Sequence, residues 1–436
     1  MPIRFRLTSR ERMPHAPPRV LIVGSGIGGL CLAQGLHTSG IGVTVFERDE
    51  SAATRNQGYG FHIKAHGRQA LRDCLPPNLF DLYVATSAQP TEGNFALCTS
   101  QLRQLFTRPL PRSDGDPSRV GAGVNRQTLR EILLAGLGDV IRFGKDFSRF
   151  TQLGSGQVAA HFADGTSVTG DLLVGADGAG SMVRSQLVPG AGFDDHGRAI
   201  YGKTPLTRES AAWPPAVFLD GMPRVAGHNG ISMGAAAYRK RERFADATAR
   251  LYPGLPLTDT PDYLRWTLSA WDTEFPITGR AFWEARGAAL HRVAAEMVAG
   301  WHPTLRRVID EADAAATFPF GIFSAQPVGQ WNSTGVTLLG DAIHTMTPGR
   351  GEGANTSLRD AALLRARLIE VAAHGRSLTD AKSDYEQEML RYGFEAVAGS
   401  KRPYFAQAMM AARGRPPPDN RRRQSSPAGS PSQQPG

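Results

Sequence analysis

Short uninterrupted apolar runs alternate along this chain with apolar positions at helical spacing. Val20-Leu21-Ile22-Val23 has the look of a strand covered on both faces. A glycine cluster follows, and Leu30, Ala33 and Leu36 then predict a helix ending near Gly40. Val43-Thr44-Val45-Phe46 predicts a second strand, closed by Glu47, which makes residues 20–47 a β-α-β unit. Farther on, Leu129, Ile132, Leu133 and Leu137 predict a helix over 126–137, and His161 to Val168 reads as a hairpin turning at Asp164-Gly165. Leu172-Leu173-Val174 and Val336-Thr337-Leu338-Leu339 are further buried strands, and Leu358, Ala361, Leu364 and Leu368 predict a long helix over 355–373. Between them, residues 191–329 mix strands and helices, are richer in aromatics and proline, and carry Trp213, Trp266 and Trp271. That stretch reads as a separate lobe.

Composition adds bounds to this picture. Of 436 residues, 41% are hydrophobic and 20% charged, which allows a sizeable core and excludes wholesale disorder. The formal net charge of +9 would suit nucleic acid or an anionic surface. Its distribution argues otherwise. Residues 1–18 carry Arg4, Arg6, Arg10 and Arg12 against Glu11, and residues 413–436 carry Arg413, Arg415, Arg421, Arg422 and Arg423 against Asp419, so most of the excess sits in two tails. The segment after Gly414, rich in Pro, Ser and Gln, cannot bury a core and is expected to be disordered. Cys31, Cys74 and Cys98 show no C-x-x-C spacing, so no disulfide framework or metal site is expected. No apolar run is long enough to span a membrane, and the N-terminal arginines precede no apolar signal core. A cytoplasmic protein is the default expectation, with an organelle-targeting reading of the Arg-rich start left open.

Three motifs carry chemistry. Gly24-Ser25-Gly26-Ile27-Gly28-Gly29 fits G-x-G-x-x-G between a predicted strand and a predicted helix. Gly24 would allow the tight turn, Gly26 the approach of a pyrophosphate and Gly29 close helix–strand packing, with the helix N-terminus facing the phosphates. Glu47 lies 18 residues after Gly29, where an acid can accept a ribose hydroxyl. The turn alone does not separate FAD from NAD, but Glu47 would repel a 2′-phosphate. The second motif, Gly175-Ala176-Asp177-Gly178-Ala179-Gly180-Ser181, follows a buried strand; its plain reading is a strand-to-helix turn capped by Asp177 or Ser181. The third is Gly340-Asp341-Ala342-Ile343-His344 with Pro348-Gly349-Arg350-Gly351-Glu352-Gly353-Ala354-Asn355, a carboxylate at a strand end followed by a glycine-rich helix start. It suits a polyol hydroxyl and an atom that gains negative charge; the plain alternative is a loop with Asn355 as helix cap and His344 as a packed histidine.

Together these motifs resemble the single-component FAD-dependent monooxygenases of the aromatic-hydroxylase type, over roughly residues 19–375. The match runs through Gly24, Gly26, Gly29 and Glu47, then Asp177, Gly178, Ser181 and Arg184. It ends with Gly340, Asp341, Ala342, His344, Pro348, Gly351, Gly353, Asn355, Asp360 and Ala361. The resemblance implies an α/β fold: a Rossmann-like FAD-binding domain built from discontinuous segments, 19–190 and 330–412 with C-terminal helices, and an α+β mixed-sheet substrate domain over 191–329. It implies bound FAD, transient NAD(P)H, O₂ and a small-molecule substrate, with no nucleic acid and no bound metal. In the same terms Glu47 would hold the adenosine ribose, Arg48 would lie against the adenine, and Gly60 and Arg126 would contact the flavin. Asp341 would bind the ribitol, Gly353, Ala354 and Asn355 would face the pyrimidine edge, and Asp177 lies in the segment used for FAD and NAD(P)H. The implied reaction passes one oxygen atom of O₂ through a flavin C4a-hydroperoxide to an aromatic or polyketide-like substrate. No catalytic side chain is assigned; His62, Tyr201 and His228 qualify as bases only by type.

The chain departs from relatives at Ala65-His66, where a Pro-Asn pair is common, and at Tyr201, where many carry arginine. Both touch the substrate side. Competing readings are an epoxidase or halogenase-like flavoenzyme, although W-x-W-x-I-P is absent, and a non-catalytic FAD-binding protein acting through its basic tails. An NAD-dependent dehydrogenase leaves the third motif without a purpose.

Overall fold

The computed structural model describes residues 17–54, 59–89, 93–110, 122–207, 209 and 212–401. The two tails, apart from Pro17 and Pro18, and the disorder expected of them lie outside the described residues. In chain order the strands are β1 (Val20–Val23), β2 (Val43–Phe46), β3 (Gly60–Ile63), β4 (Asn94–Thr99), β5 (Gln104–Pro109), β6 (Ala122–Asn125), β7 (Ile141–Arg142) and β8 (Phe147–Gln152). They continue as β9 (Val158–Phe162), β10 (Ser167–Gly170), β11 (Leu172–Gly175), β12 (Phe193–Pro205), β13 (Met222–Ala226), β14 (Ser232–Tyr238), β15 (Tyr263–Ala270), β16 (Phe318–Ala325) and β17 (Val336–Leu338).

The short apolar runs form a five-stranded parallel sheet in the order β17-β11-β1-β2-β7. Every residue of β1 and β11 is buried, because helices cover one face and the β8–β10 sheet lies on the other side. The helix Ile27–Thr38 is buried on nearly all sides, since the helix Gly353–His374 lies across it. That crossing depends on Gly28, where a Cβ would sit 2.1 Å from Ser357 Oγ. The hairpin turning at Asp164-Gly165 joins β9 to β10 as the sequence predicts.

The second sheet has seven strands in the order β16-β12-β15-β14-β13-β4-β5. One face, with Ile200, Leu264, Trp266, Leu268 and Met233, packs on the helices Gly279–Glu284, Gly287–Met297 and Pro303–Asp310. Burying each such large side chain contributes about 1.5–3 kcal/mol. The other face looks toward β3 and β6, which pair as a separate two-stranded ladder.

Three expectations change. Residues 94–109, placed in the nucleotide-binding segment, form β4 and β5 of the second sheet, with β4 parallel to β13. The expected helix 126–137 is Arg126–Leu134; Ala135 is extended and Gly136 has φ +76, so the chain leaves the helix while Leu137 stays in the core. The long helix begins at Gly353, so Asn355 sits inside its first turn instead of capping it.

A buried polar cluster ties the third motif to the C-terminal helices. Asp360 is fully buried and accepts hydrogen bonds from Gly340 N (2.8 Å), His344 Nε2 (2.7 Å) and the Tyr392 hydroxyl (2.6 Å). The Tyr385 hydroxyl donates to Leu338 O at 2.8 Å, so the helix Leu378–Ser400 is pinned to the end of β17. His344 is thus the packed histidine of the plainer reading. Burial alone would pull its pKa down, but the Asp360 carboxylate outweighs burial and holds it above 6.5. A histidine held charged in this way stabilises the fold below its unfolded value, and that contribution is lost as pH rises through the raised folded value. In urea unfolding, the wild-type midpoint is expected to fall as pH rises from about 6.5 upward through that value. Asp360→Asn should flatten this dependence and cost on the order of 3–5 kcal/mol, because it breaks a buried pair. An unchanged pH slope in Asp360→Asn would contradict the assignment.

Candidate functional site

Parallel pairing sets Val23 level with Gly175, and Gly175 level with Leu338. The turns that follow β1, β11 and β17 therefore open side by side at one sheet edge, where doubly wound sheets bind their ligands. In the first turn Gly24 has φ +104, and a Cβ there would lie 2.5 Å from Ala176 O, so the first and second motifs meet backbone to backbone. Gly29 packs the helix against this turn, its Cβ position being 2.3 Å from Gly24 O. Over Gly26 the nearest atom to a Cβ position is Ala176 O at 3.9 Å, which leaves space for a ligand at the helix N-terminus.

Glu47, at the end of β2, is buried and folds back on the turn: its Oε2 accepts from Ser25 N (2.8 Å) and Ser25 Oγ (2.7 Å). Arg130, which sequence reading passed over, completes this corner. It is buried and donates from Nη2 to Ser25 Oγ (2.9 Å), from Nε to Ser25 O (3.3 Å) and from Nη1 to Ala52 O (2.7 Å). The available signal was a cation one turn past Arg126, set among Leu129, Ile132 and Leu133 on the helix's apolar face. Arg48 is exposed beside Glu47.

In the second turn Asp177 and Ser181 both cap the helix Met182–Leu187. Asp177 Oδ2 accepts from Met182 N (2.8 Å) and Val183 N (3.3 Å), and Ser181 Oγ accepts from Arg184 N (2.9 Å). Asp177 Oδ1 is buried with no hydrogen-bond partner, and burial raises the carboxyl pKa. Arg184 reaches from this turn to the third, donating to Ala342 O at 2.9 Å.

Asp341 begins the short helix Asp341–His344. Its side chain is open to solvent, yet the protein around it raises its pKa by desolvation, against the opposing charges of His344 and Arg126. A group both accessible and surrounded lies on a concave wall. Asp341 Oδ1 is 3.7 Å from where a Cβ on Gly353 would sit, so the carboxylate borders the N-terminus of the helix Gly353–His374. The first N–H groups of that helix, at Gly353, Ala354 and Asn355, have no partner within the helix. The Asn355 amide spans the gap to β3: Nδ2 donates to His62 O (2.9 Å) and Gly351 O (2.8 Å), and Oδ1 accepts from Lys64 N (2.7 Å).

Gly60 and Arg126 reach the site through the β3–β6 ladder. Arg126 N donates to Tyr59 O at 2.8 Å, and its guanidinium lies 5.6 Å from the Tyr59 ring centre. Gly60 is held from the second sheet, its N–H donating to the Tyr201 hydroxyl (2.9 Å) and its carbonyl accepting from Arg265 Nη1. Tyr201 is therefore engaged and buried, with its pKa pushed well up by desolvation. His228 lies on an exposed turn, whereas His62 faces the cleft, where desolvation with the charges of Arg265 and Lys64 holds it at about 4.

The buried Asp177 oxygen, the open space over Gly26, the Glu47 carboxylate and the Asp341–Gly353 corner all lie at the edge where the three turns open. They fit an extended dinucleotide with a polyol and an electron-poor ring at its far end. Among the described residues no cluster of His, Cys, Asp or Glu could hold a metal ion, and no helix is long and apolar enough to cross a membrane.

Comparison with known proteins agrees with this geometry. Residues 22–84 match the NAD(P)-binding Rossmann-like domain, and residues 305–400 match the FAD binding domain. The dual O-methyltransferase/FAD-dependent monooxygenase elcB of Phaeosphaeria nodorum is 33% identical over 395 residues, 85% of this chain and 42% of that protein. The chain thus spans less than half the length of the first curated relatives it matches. The FAD-dependent monooxygenase dbaB of Emericella nidulans is 31% identical over 364 residues, 80% of this chain and 86% of that protein. A crystal structure of a candidate FAD containing monooxygenase from Photorhabdus luminescens superposes with a TM-score of 0.74 at 32% identity, covering 88% of this chain and 96% of that one. The chain belongs to the family of FAD-dependent monooxygenases.

Proposed function

We propose that the protein is an NAD(P)H-dependent flavoprotein monooxygenase that transfers one atom of O₂ to an aromatic or polyketide-like substrate and releases the other as water. The observation that carries this reading is the meeting of three turns at one sheet edge, facing a second sheet lined with aromatic rings. FAD, when bound, would supply the oxygen activation, with NAD(P)H as the source of reducing equivalents.

The chain's own part is binding, orientation and the exclusion of water. Gly24, Gly26 and Gly29 let the backbone meet the pyrophosphate at the helix N-terminus. Glu47, fixed by Ser25 and Asp49, takes a ribose hydroxyl, and Arg48 lies against the adenine. Asp177 offers its unused oxygen within the same groove, and Asp341 takes the ribitol. Gly353, Ala354 and Asn355 present helix-start N–H groups to the pyrimidine edge, where they favour negative charge. Gly60 and Arg126 set the opposite side of the ring. Tyr201 and Phe318 of the second sheet, stacked with ring centres 5.2 Å apart, and the tilted ring of Tyr59 beside them give an apolar wall for an aromatic substrate. The proposal places the protein in the cytoplasm with small molecules as its partners.

The purified protein is expected to show flavin absorption and to oxidise NADPH faster in the presence of a phenolic substrate. Product formed under ¹⁸O₂ should carry one labelled oxygen atom. NADPH oxidation that yields only hydrogen peroxide across a broad panel of phenols would contradict the monooxygenase reading.

A further inference from the structure

Two helices begin next to each other at the edge of the site. Lys64 is the N-cap of the helix Ala65–Cys74, and Glu352 is the N-cap of the helix Gly353–His374. The backbones pack closely there: a Cβ on Gly67 would sit 2.2 Å from Asn355 Oδ1, and that oxygen accepts from Lys64 N. Side chains close the rest of the gap. Lys64 Nζ donates to Glu352 Oε1, and His66 Nε2 lies 3.3 Å from Glu352 Oε2, so one carboxylate is held at both oxygens. Burial alone would push the Glu352 carboxyl up, but the bonds from His66 and Lys64 outweigh burial and hold it down at about 2. Glu352 is therefore an anion at neutral pH. A negative charge suits a helix start, whereas the dipole of its own helix opposes the cation of Lys64. Lys64 is held in place by the carboxylate across from it.

Gly353, the residue after Glu352, opens the row of N–H groups offered to the flavin's pyrimidine edge, which gains negative charge on reduction. Glu352 unopposed would disfavour that charge, and Lys64 offsets it. The other charges at this corner are Asp341, beside Gly353, and Arg126, whose charge acts on Asp341. We propose that Lys64 and Glu352 are a balanced charge pair that sets the reduction potential of the flavin, with His66 fixing the carboxylate in place. This rests on the monooxygenase reading. It also gives a use to the departure at Ala65-His66, because a side chain at position 66 reaches Glu352 from the first turn of its helix. The Lys64 and Glu352 side chains are 34% and 21% exposed, so solvent screens the pair in part and its effect is modest.

The test is the midpoint potential of the bound flavin, read by equilibration with a redox dye at one pH in wild type, Lys64→Met, Glu352→Gln and the double variant. Lys64→Met leaves the carboxylate unopposed and should lower the potential. Glu352→Gln leaves the cation unopposed and should raise it. Each shift should be at least about threefold in the reduction equilibrium, which is about 15 mV for a two-electron couple. The double variant, with neither charge, should return to the wild-type potential. A contact that serves only to hold the two helices together would move both single variants the same way or not at all. Shifts of the same sign, the absence of a shift in either single variant, a double variant that keeps either shift, or loss of flavin from a variant would overturn the proposal. Flavin uptake by the wild type is read first. A wild-type protein that takes up no flavin contradicts the monooxygenase reading itself, whereas a bound flavin indifferent to the two charges overturns only their assignment.

Discussion

The rest of the site depends on parallel pairing among β17, β11 and β1. Parallel strands with level ends deliver their following turns to the same edge, whatever the distance between them in sequence. Val23, Gly175 and Leu338 are in register, so Gly24, Asp177 and Asp341 emerge as neighbours although more than 300 residues separate the first from the last. The contact is close enough that Gly24 cannot carry a side chain without meeting Ala176 O. Side chains then reinforce it: Arg184 joins the second turn to the third, and Asp360 holds Gly340 and His344.

The second sheet is joined to this edge at a small point with large leverage. Gly60 is bonded through its N–H to Tyr201 and through its carbonyl to Arg265, both on the open face of the second sheet. The neighbouring residues of β3 and of the segment after it are bonded through His62 O and Lys64 N to Asn355 at the start of the long helix. The face of the second sheet and the helix start that the flavin would use are thus linked through a few residues of one short strand.

Much of this was legible in the sequence because it is encoded locally. The buried strands are short apolar runs, and the glycines of the first motif follow from turn and close-approach sterics. Asp341 and Asn355 stand at a strand end and a helix start that periodicity reveals. What was hidden lies in long-range pairing. Arg130 reads as an ordinary helical arginine until Ser25 is brought against it from 105 residues away. Arg265 meets Gly60 only because the second sheet is brought against β3 from 205 residues away. β5 is exposed along its whole length and carries no alternation of buried and exposed positions, so nothing in its pattern announced that it would join the far sheet. The end of the helix at Leu134 was missed because Leu137 is buried in the core and extends the apolar period beyond the helix itself.

The central claim is that one flavin dinucleotide sits along the edge where the three turns meet. Calorimetric titration of FAD into the flavin-stripped protein tests it most directly, with Gly24→Ala and Asp341→Ala examined beside the wild type at matched melting temperature. The account predicts one FAD per wild-type chain and a loss of affinity of at least about tenfold in each variant, since one places a side chain against the Ala176 backbone and the other removes the carboxylate beside Gly353. Wild-type affinity and stoichiometry in both variants would contradict it.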